Sequence, residues 1–178
     1  MSRFKLVAES DAPEPIAALY RQIRSSMGGV PNIFLAMANS PALLQGYLGL
    51  HAAQQESSIP LALREKIALT VGEINRCRYC LAAHTAYGAK AGLSEEEILD
   101  ARAGEDNDPK SQAILLFVRR AVENRGWVSD AQVTELRKSG ITDREVADIV
   151  LSVAVNMFTN YFNHIVDPEV DYPPVKDL

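Results

Sequence analysis

Cys77 and Cys80 are the only cysteines in this 178-residue chain, and His84 stands four positions after the second. Two thiols three residues apart can reach each other, so the sulfur chemistry open to them is the making and breaking of one disulfide. A thiolate attacks a peroxide oxygen or a disulfide sulfur. A neighbouring thiol then resolves the sulfenic acid or mixed disulfide that forms. In a helix, positions i, i+3 and i+7 share a face, which groups Cys77, Cys80 and His84, with Cys80 and His84 also i, i+4 neighbours. A helix beginning near Arg76 would put Cys77 in its first turn, where unpaired backbone N–H groups stabilise a thiolate. On that argument Cys77 is the more acidic thiol, and His84 is placed to accept or relay a proton.

The preceding segment supplies an acid. On a helical wheel over 61–74, Leu63, Ile67, Val71 and Ile74 form an apolar stripe, and Lys66, Thr70 and Glu73 a polar one that should face solvent. Glu65 belongs to neither, since its wheel neighbours are Leu61, Ala68, Leu69 and Gly72. A carboxylate there should be partly buried, and burial raises a carboxylate's pKa toward working pH. Glu65 rather than Glu73 is therefore the candidate acid, with Ala68 and Gly72 small enough to leave room for a water beside the thiols. The same residues allow other readings. The cysteines are an inert buried pair, or part of a zinc site completed by Glu65 and His84. A thioredoxin-like motif would need a strand before it, and this segment follows a helix. His51 and His164 have no clustered partners and read as packing or capping residues. Tyr79, Trp127, Phe158, Tyr161 and Phe162 read mainly as core, with an apolar approach channel as their other use.

The elements that must position these residues are helical throughout. Ser40-Pro41 and Asp108-Pro109 each place a cap and a first-turn proline before an apolar run. Asp11-x-x-Glu14, Ser94-x-x-Glu97, Ser129-x-x-Gln132 and Thr142-x-x-Glu145 fit capping boxes. Gly92, Gly104, Gly126 and Gly140 fall where helices should stop. These signals predict helices near 13–28, 41–56, 60–75, 77–91, 94–102, 109–125, 130–138 and 142–165, with no convincing period-2 strand. The expected fold is all-α, one domain over 1–178, its redox segment at 60–92 and an extended tail at 167–178.

Composition sets the class. The 18 Lys and Arg against 23 Asp and Glu leave a net charge of −5, which argues against a nucleic-acid or anionic-membrane surface. Residues 1–9 lack the apolar core of a secretory signal, and no apolar run reaches the roughly 18 residues of a membrane span. The expectation is a cytoplasmic protein, where a close cysteine pair is catalytic or metal-binding more often than structural.

Glu65, then Cys77-x-x-Cys80 twelve residues on, then His84 four after the second cysteine, resembles the signature of the alkylhydroperoxidase D-like branch of the carboxymuconolactone decarboxylase superfamily. Arg64-Glu65, Asn75, Ala82-Ala83-His84-Thr85 and Ala91-Gly92-Leu93-Ser94 extend the likeness over roughly 45–125. Asn160-Tyr161-Phe162-Asn163-His164 and Asp171-Tyr172-Pro173 resemble the peroxidase-related subgroup. The resemblance implies an all-α peroxidase without metal or organic cofactor. It makes Cys80 the thiol attacked by peroxide, against the helix-dipole argument, with Cys77 resolving and Glu65 and His84 relaying protons. It also implies a homo-oligomer, trimer or hexamer, and a dithiol or thioredoxin-like reductant. The competing classes are a thiol redox sensor or adaptor, and decarboxylase-like lactone chemistry, although the superfamily's true decarboxylases lack the cysteine pair.

Overall fold

The computed structural model describes residues 2–176 and 178. Met1 and Asp177 lie outside the described residues, and with them the first residue of the expected domain and one residue of the expected tail. Among the described residues the elements are a 3-10 turn, Glu9–Asp11, and nine helices with no strand. The helices are α1 (Glu14–Met27), α2 (Asn32–Met37), α3 (Pro41–Gln55), α4 (Leu61–Ile74), α5 (Arg78–Lys90), α6 (Glu95–Ala103), α7 (Pro109–Glu123), α8 (Asp130–Lys138) and α9 (Asp143–Val166). The all-α expectation holds.

The capping chemistry explains most boundaries. Ser40 accepts the Leu43 N–H ahead of α3, and Asp108 the Ser111 N–H ahead of α7. Ser94, Ser129 and Thr142 open α6, α8 and α9 with reciprocal capping boxes. The expected box at Asp11 does not form. Asp11 ends the 3-10 turn, and α1 starts from Pro13 without a side-chain cap. Helix α2 was not expected. It is only six residues long and buries Ile33, Phe34, Ala36 and Met37 at once, so it shows no amphipathic stripe to read.

Two apolar clusters form the interior. One joins α4, α6, α7, α8 and α9 through residues such as Ile67, Leu69, Leu115, Val118 and Ile149. The other joins α1, α2 and α3 through Ile23, Phe34, Met37 and Leu44, and it includes Cys77, Tyr79, Cys80 and Val155. Helix α4 packs against α5, α6, α7 and α9, and α9 packs against α3, α4, α5 and α7. By length and composition α9 is apolar enough to cross a membrane. Here its buried stripe carries Ser152, Asn156, Thr159, Asn160 and Asn163, packed against other helices.

The polar stripe of α4 does not face solvent as expected, because α6 and the segment after it cover it. Lys66 Nζ lies 2.7 Å from Asp106 Oδ2 and 3.2 Å from Glu97 Oε1. Buried Thr70 places Oγ1 2.7 Å from the Ala101 carbonyl, and Arg102 Nε donates to Glu73 at 2.8 Å. Burial lowers the Lys66 pKa, but the hydrogen bonds to Asp106 and Glu97 outweigh it and the net direction is up. Lys66→Met strands the Asp106 carboxylate, whose side chain is only 5% exposed. The expected cost is about 3 kcal/mol in urea unfolding, and adding Asp106→Leu should recover most of it.

Candidate active site

The link from α4 to α5 sets the sulfur geometry. Arg76 turns the chain in a left-handed conformation, φ 53°, and Cys77 follows extended as the N-cap of α5. The helix therefore begins at Arg78, later than expected, and it is Cys80 that sits in the first turn. Cys77 Sγ accepts the Cys80 backbone N–H at 3.3 Å. The two cysteines are joined in a disulfide with Cα atoms 5.3 Å apart, and both are buried. From α9, Asn163 Nδ2 approaches Cys80 Sγ at 3.2 Å and Cys77 Sγ at 3.9 Å. Asn163 Oδ1 is buried and has no hydrogen-bond partner among the described residues.

Glu65 on α4 and His84 on α5 meet as expected, with Oε2 2.7 Å from Nδ1. Their side chains are 13% and 22% exposed. A carboxylate on Nδ1 orients the imidazole and leaves Nε2 as the nitrogen free to take or give a proton. Glu65, His84 and Cys80 line one cavity of about 90 Å³. Cys77 is not part of that lining. Ala68 lines this cavity with Glu65 and Cys80, whereas Gly72, the other small residue expected to leave room for a water there, does not. A Cβ at Gly72 would stand 3.4 Å from Leu81 and 3.8 Å from Cys80 Cβ, so the small residue serves the close approach of α4 and α5.

The cavity wall holds residues that the sequence reading placed elsewhere or missed. His51, read from the sequence as a packing or capping residue without clustered partners, lines it beside Glu65, stacked on Tyr47 with ring centroids 6.0 Å apart and 3.2 Å from the Gln55 amide nitrogen. His164 is exposed and lies outside this cavity. Tyr87 and Tyr172 also line the cavity, hydroxyl to hydroxyl. Tyr79 donates to Asp171 Oδ1 at 2.6 Å and accepts the Ile33 N–H at 3.3 Å, so the tail is tied to α2 and α5. Of the aromatic residues considered for a channel, Tyr79 alone lines the cavity. Phe158 stacks on Tyr47 behind it, Trp127 is 85% exposed, and Tyr161 is exposed. The signal for Asn163 was in the sequence: Ser152, Asn156, Thr159, Asn160 and Asn163 repeat at helical spacing inside an otherwise apolar helix. Tyr172 is marked only by the Asp171-Tyr172-Pro173 segment of the resemblance.

His51 gives the site a pH signature. Burial depresses its pKa, the Arg64 charge lowers it further, and Glu65 opposes. The folded protein thus holds the His51 proton less tightly than the unfolded chain does. Its stability contribution is complete above the unfolded value, about pH 6.5, and is lost as pH falls through that value toward the folded one. Urea midpoints taken between about pH 7.5 and pH 5.5 should fall more for the native chain than for His51→Gln.

The all-α bundle matches alkylhydroperoxidase-like solved structures at the level of fold. Residues 41–119, spanning α3 to α7, match the carboxymuconolactone decarboxylase family. An alkylhydroperoxidase core, peroxidase-related protein from Ralstonia eutropha JMP134 superposes with a TM-score of 0.86 at 23% identity, over 96% of this chain and 92% of that one. A peroxidase-related protein from Silicibacter sp. TM1040 gives 0.82 at 22%, over 97% of each. A debrominase, solved as a cysteine-to-alanine variant with 2,3,4-tribromopyrrole, gives 0.81 at 20%, over 96% and 94%. No protein with a curated description matches the chain in sequence.

Proposed function

We propose that this protein is a thiol-dependent peroxidase, reducing hydrogen peroxide or an organic hydroperoxide through a Cys77/Cys80 dithiol–disulfide cycle. The observation that carries the reading is that Cys80 opens onto the same cavity as the Glu65–His84 pair. In the reduced protein His84, held by Glu65, takes the Cys80 proton. The thiolate attacks one peroxide oxygen, the O–O bond breaks, and the departing alkoxide or hydroxide leaves with a proton returned from His84. Cys80 is then a sulfenic acid. Cys77, three residues away, attacks its sulfur, water leaves, and the disulfide seen here forms. A dithiol reductant, thioredoxin-like in its chemistry, returns two electrons and two protons.

The cavity of about 90 Å³ suits a small hydroperoxide. We place the reaction in the cytoplasm, whose reducing thiols keep the pair in use. We also read the chain as a homo-oligomer, trimer or hexamer, which would cover exposed apolar residues such as Leu116, Val150 and Ile165. Light scattering would report the subunit number.

The test is stopped-flow oxidation of the reduced protein by hydrogen peroxide and by cumene hydroperoxide, with 2,3,4-tribromopyrrole, the debrominase's ligand, as a control electrophile. Disulfide formation well above the rate of a free cysteine, with sustained turnover on added dithiol, is the expected result. One round of oxidation without turnover would make the pair a sensor. Faster reaction with the bromopyrrole would favour dehalogenation.

A further inference from the structure

We infer that the two sulfurs serve different pockets, with peroxide meeting Cys80 and the thiolate of the reductant attacking Cys77 from a separate and larger one. The first half rests on the peroxidase reading; the second rests on geometry alone. Cys77 lines a second pocket of about 650 Å³, from which Glu65, Cys80 and His84 are absent. Its walls are the Arg76–Arg78 turn, the end of α9 and the tail from Asp167 to Val170. Tyr79, Asn163 and Tyr172 line both spaces and form the partition between them. That partition is pinned, since Tyr79 is bonded to Asp171 and Tyr172 to Tyr87.

Size separates the two uses. The space at Cys80, about 90 Å³, suits a small hydroperoxide. The space at Cys77 is several times larger. Charge acts in the same direction. Arg76 and Arg78 flank Cys77 directly, are exposed, and form no ion pair among the described residues. They favour the ionised form of an arriving thiol, the form that attacks. Asp167 and Glu169 lie in the wall on the tail side, so the anion is drawn to the arginine side of the pocket.

The electron balance follows. The first thiolate of the reductant bonds to Cys77 Sγ, the Cys77–Cys80 bond breaks, and Cys80 leaves as a thiolate. It leaves with the Asn163 N–H donor 3.2 Å away and on the cavity side, where the next peroxide binds. The second thiol of the reductant attacks its own sulfur in the mixed disulfide. That step releases Cys77 and oxidises the reductant to its disulfide. Reduction therefore proceeds without the reductant entering the peroxide cavity.

The experiment uses Cys80→Ser and Cys77→Ser, each capped on its remaining thiol with a methylthio group small enough for either space. Discharge of the cap is followed by intact mass, with dithiothreitol as the small dithiol and reduced thioredoxin as the bulky one. Thioredoxin should discharge Cys77 at least about tenfold faster than Cys80 after normalisation to dithiothreitol. Equal normalised rates, or a faster Cys80, would overturn the assignment. Should either variant fail to fold, glutathione is reacted with the oxidised native protein, and free thiols are trapped with N-ethylmaleimide. Trypsin cuts at Arg78 and separates the cysteines. Glutathione on Cys77 is expected, and glutathione on Cys80 would overturn the proposal. Neither measurement involves peroxide, so slow peroxide oxidation would sink the peroxidase reading and leave this assignment standing.

Discussion

Cys80→Ser removes peroxide turnover, with an expected fall in kcat/KM of more than about a thousandfold. The reason is chemical rather than structural. Serine nearly matches cysteine in shape, and the position is buried at the start of α5 among Ala83, Tyr79 and Asn163, so the helix should keep its place. A hydroxyl there has no accessible anion for the Glu65–His84 pair to draw out, and oxygen does not form the sulfenic intermediate. Cys77 remains in that variant, but it faces the other pocket and lacks contact with the cavity that holds the pair. Cys77→Ser should behave differently: Cys80 is oxidised once at near-native rate, stops as a sulfenic acid, and over-oxidises with excess peroxide. Stopped-flow thiol loss with mass spectrometry of the products separates the two. Native-like oxidation of Cys80→Ser would transfer the nucleophile's role to Cys77, as the helix-dipole argument first had it.

Glu65→Gln slows peroxide-driven thiol oxidation by roughly a hundredfold while leaving urea stability nearly unchanged. Glutamine keeps an acceptor oxygen for His84 Nδ1, where the native contact is 2.7 Å, so the ring keeps its orientation. What disappears is the negative charge that stabilises the imidazolium formed when His84 takes the thiol proton. A purely structural carboxylate would show the opposite pattern, with loss of stability and an unchanged rate. Glu65→Ala separates orientation from charge. Without an acceptor for Nδ1 the ring is released, and the rate should fall below that of the glutamine variant.

The helical class, most helix ends, the closing of Cys77 with Cys80 and the partial burial of Glu65 were legible because each rests on local chemistry. A serine or threonine cap bonds an N–H three residues away, and Cys80 and His84 share a helix face by their i, i+4 spacing, with Cys77 as the N-cap before them. Glu65 was legible because its wheel position is flanked by small and apolar residues. The errors were also local arguments, applied where a second element intervenes. The Lys66–Thr70–Glu73 stripe read as solvent-facing because a helical wheel records which residues share a face and not what lies over it. Here α6, thirty residues on, brings Ala101 and Arg102 to that face. His51 read as unclustered because Glu65 and His84, which line the same cavity, come from two other helices.

The sequence by itself therefore determined an all-α chain, a thiol pair able to close, and an acid and an imidazole one turn and one helix away. Only the tertiary structure decided how these residues divide space. Asn163 reaches the sulfurs across more than eighty residues, and Tyr172 comes from the tail to stand between two pockets. Such contacts depend on how helices α4, α5 and α9 pack and on where the tail lies across them. Packing of that kind is set by the sum of many side-chain shapes over the whole core, and no short stretch of sequence carries it.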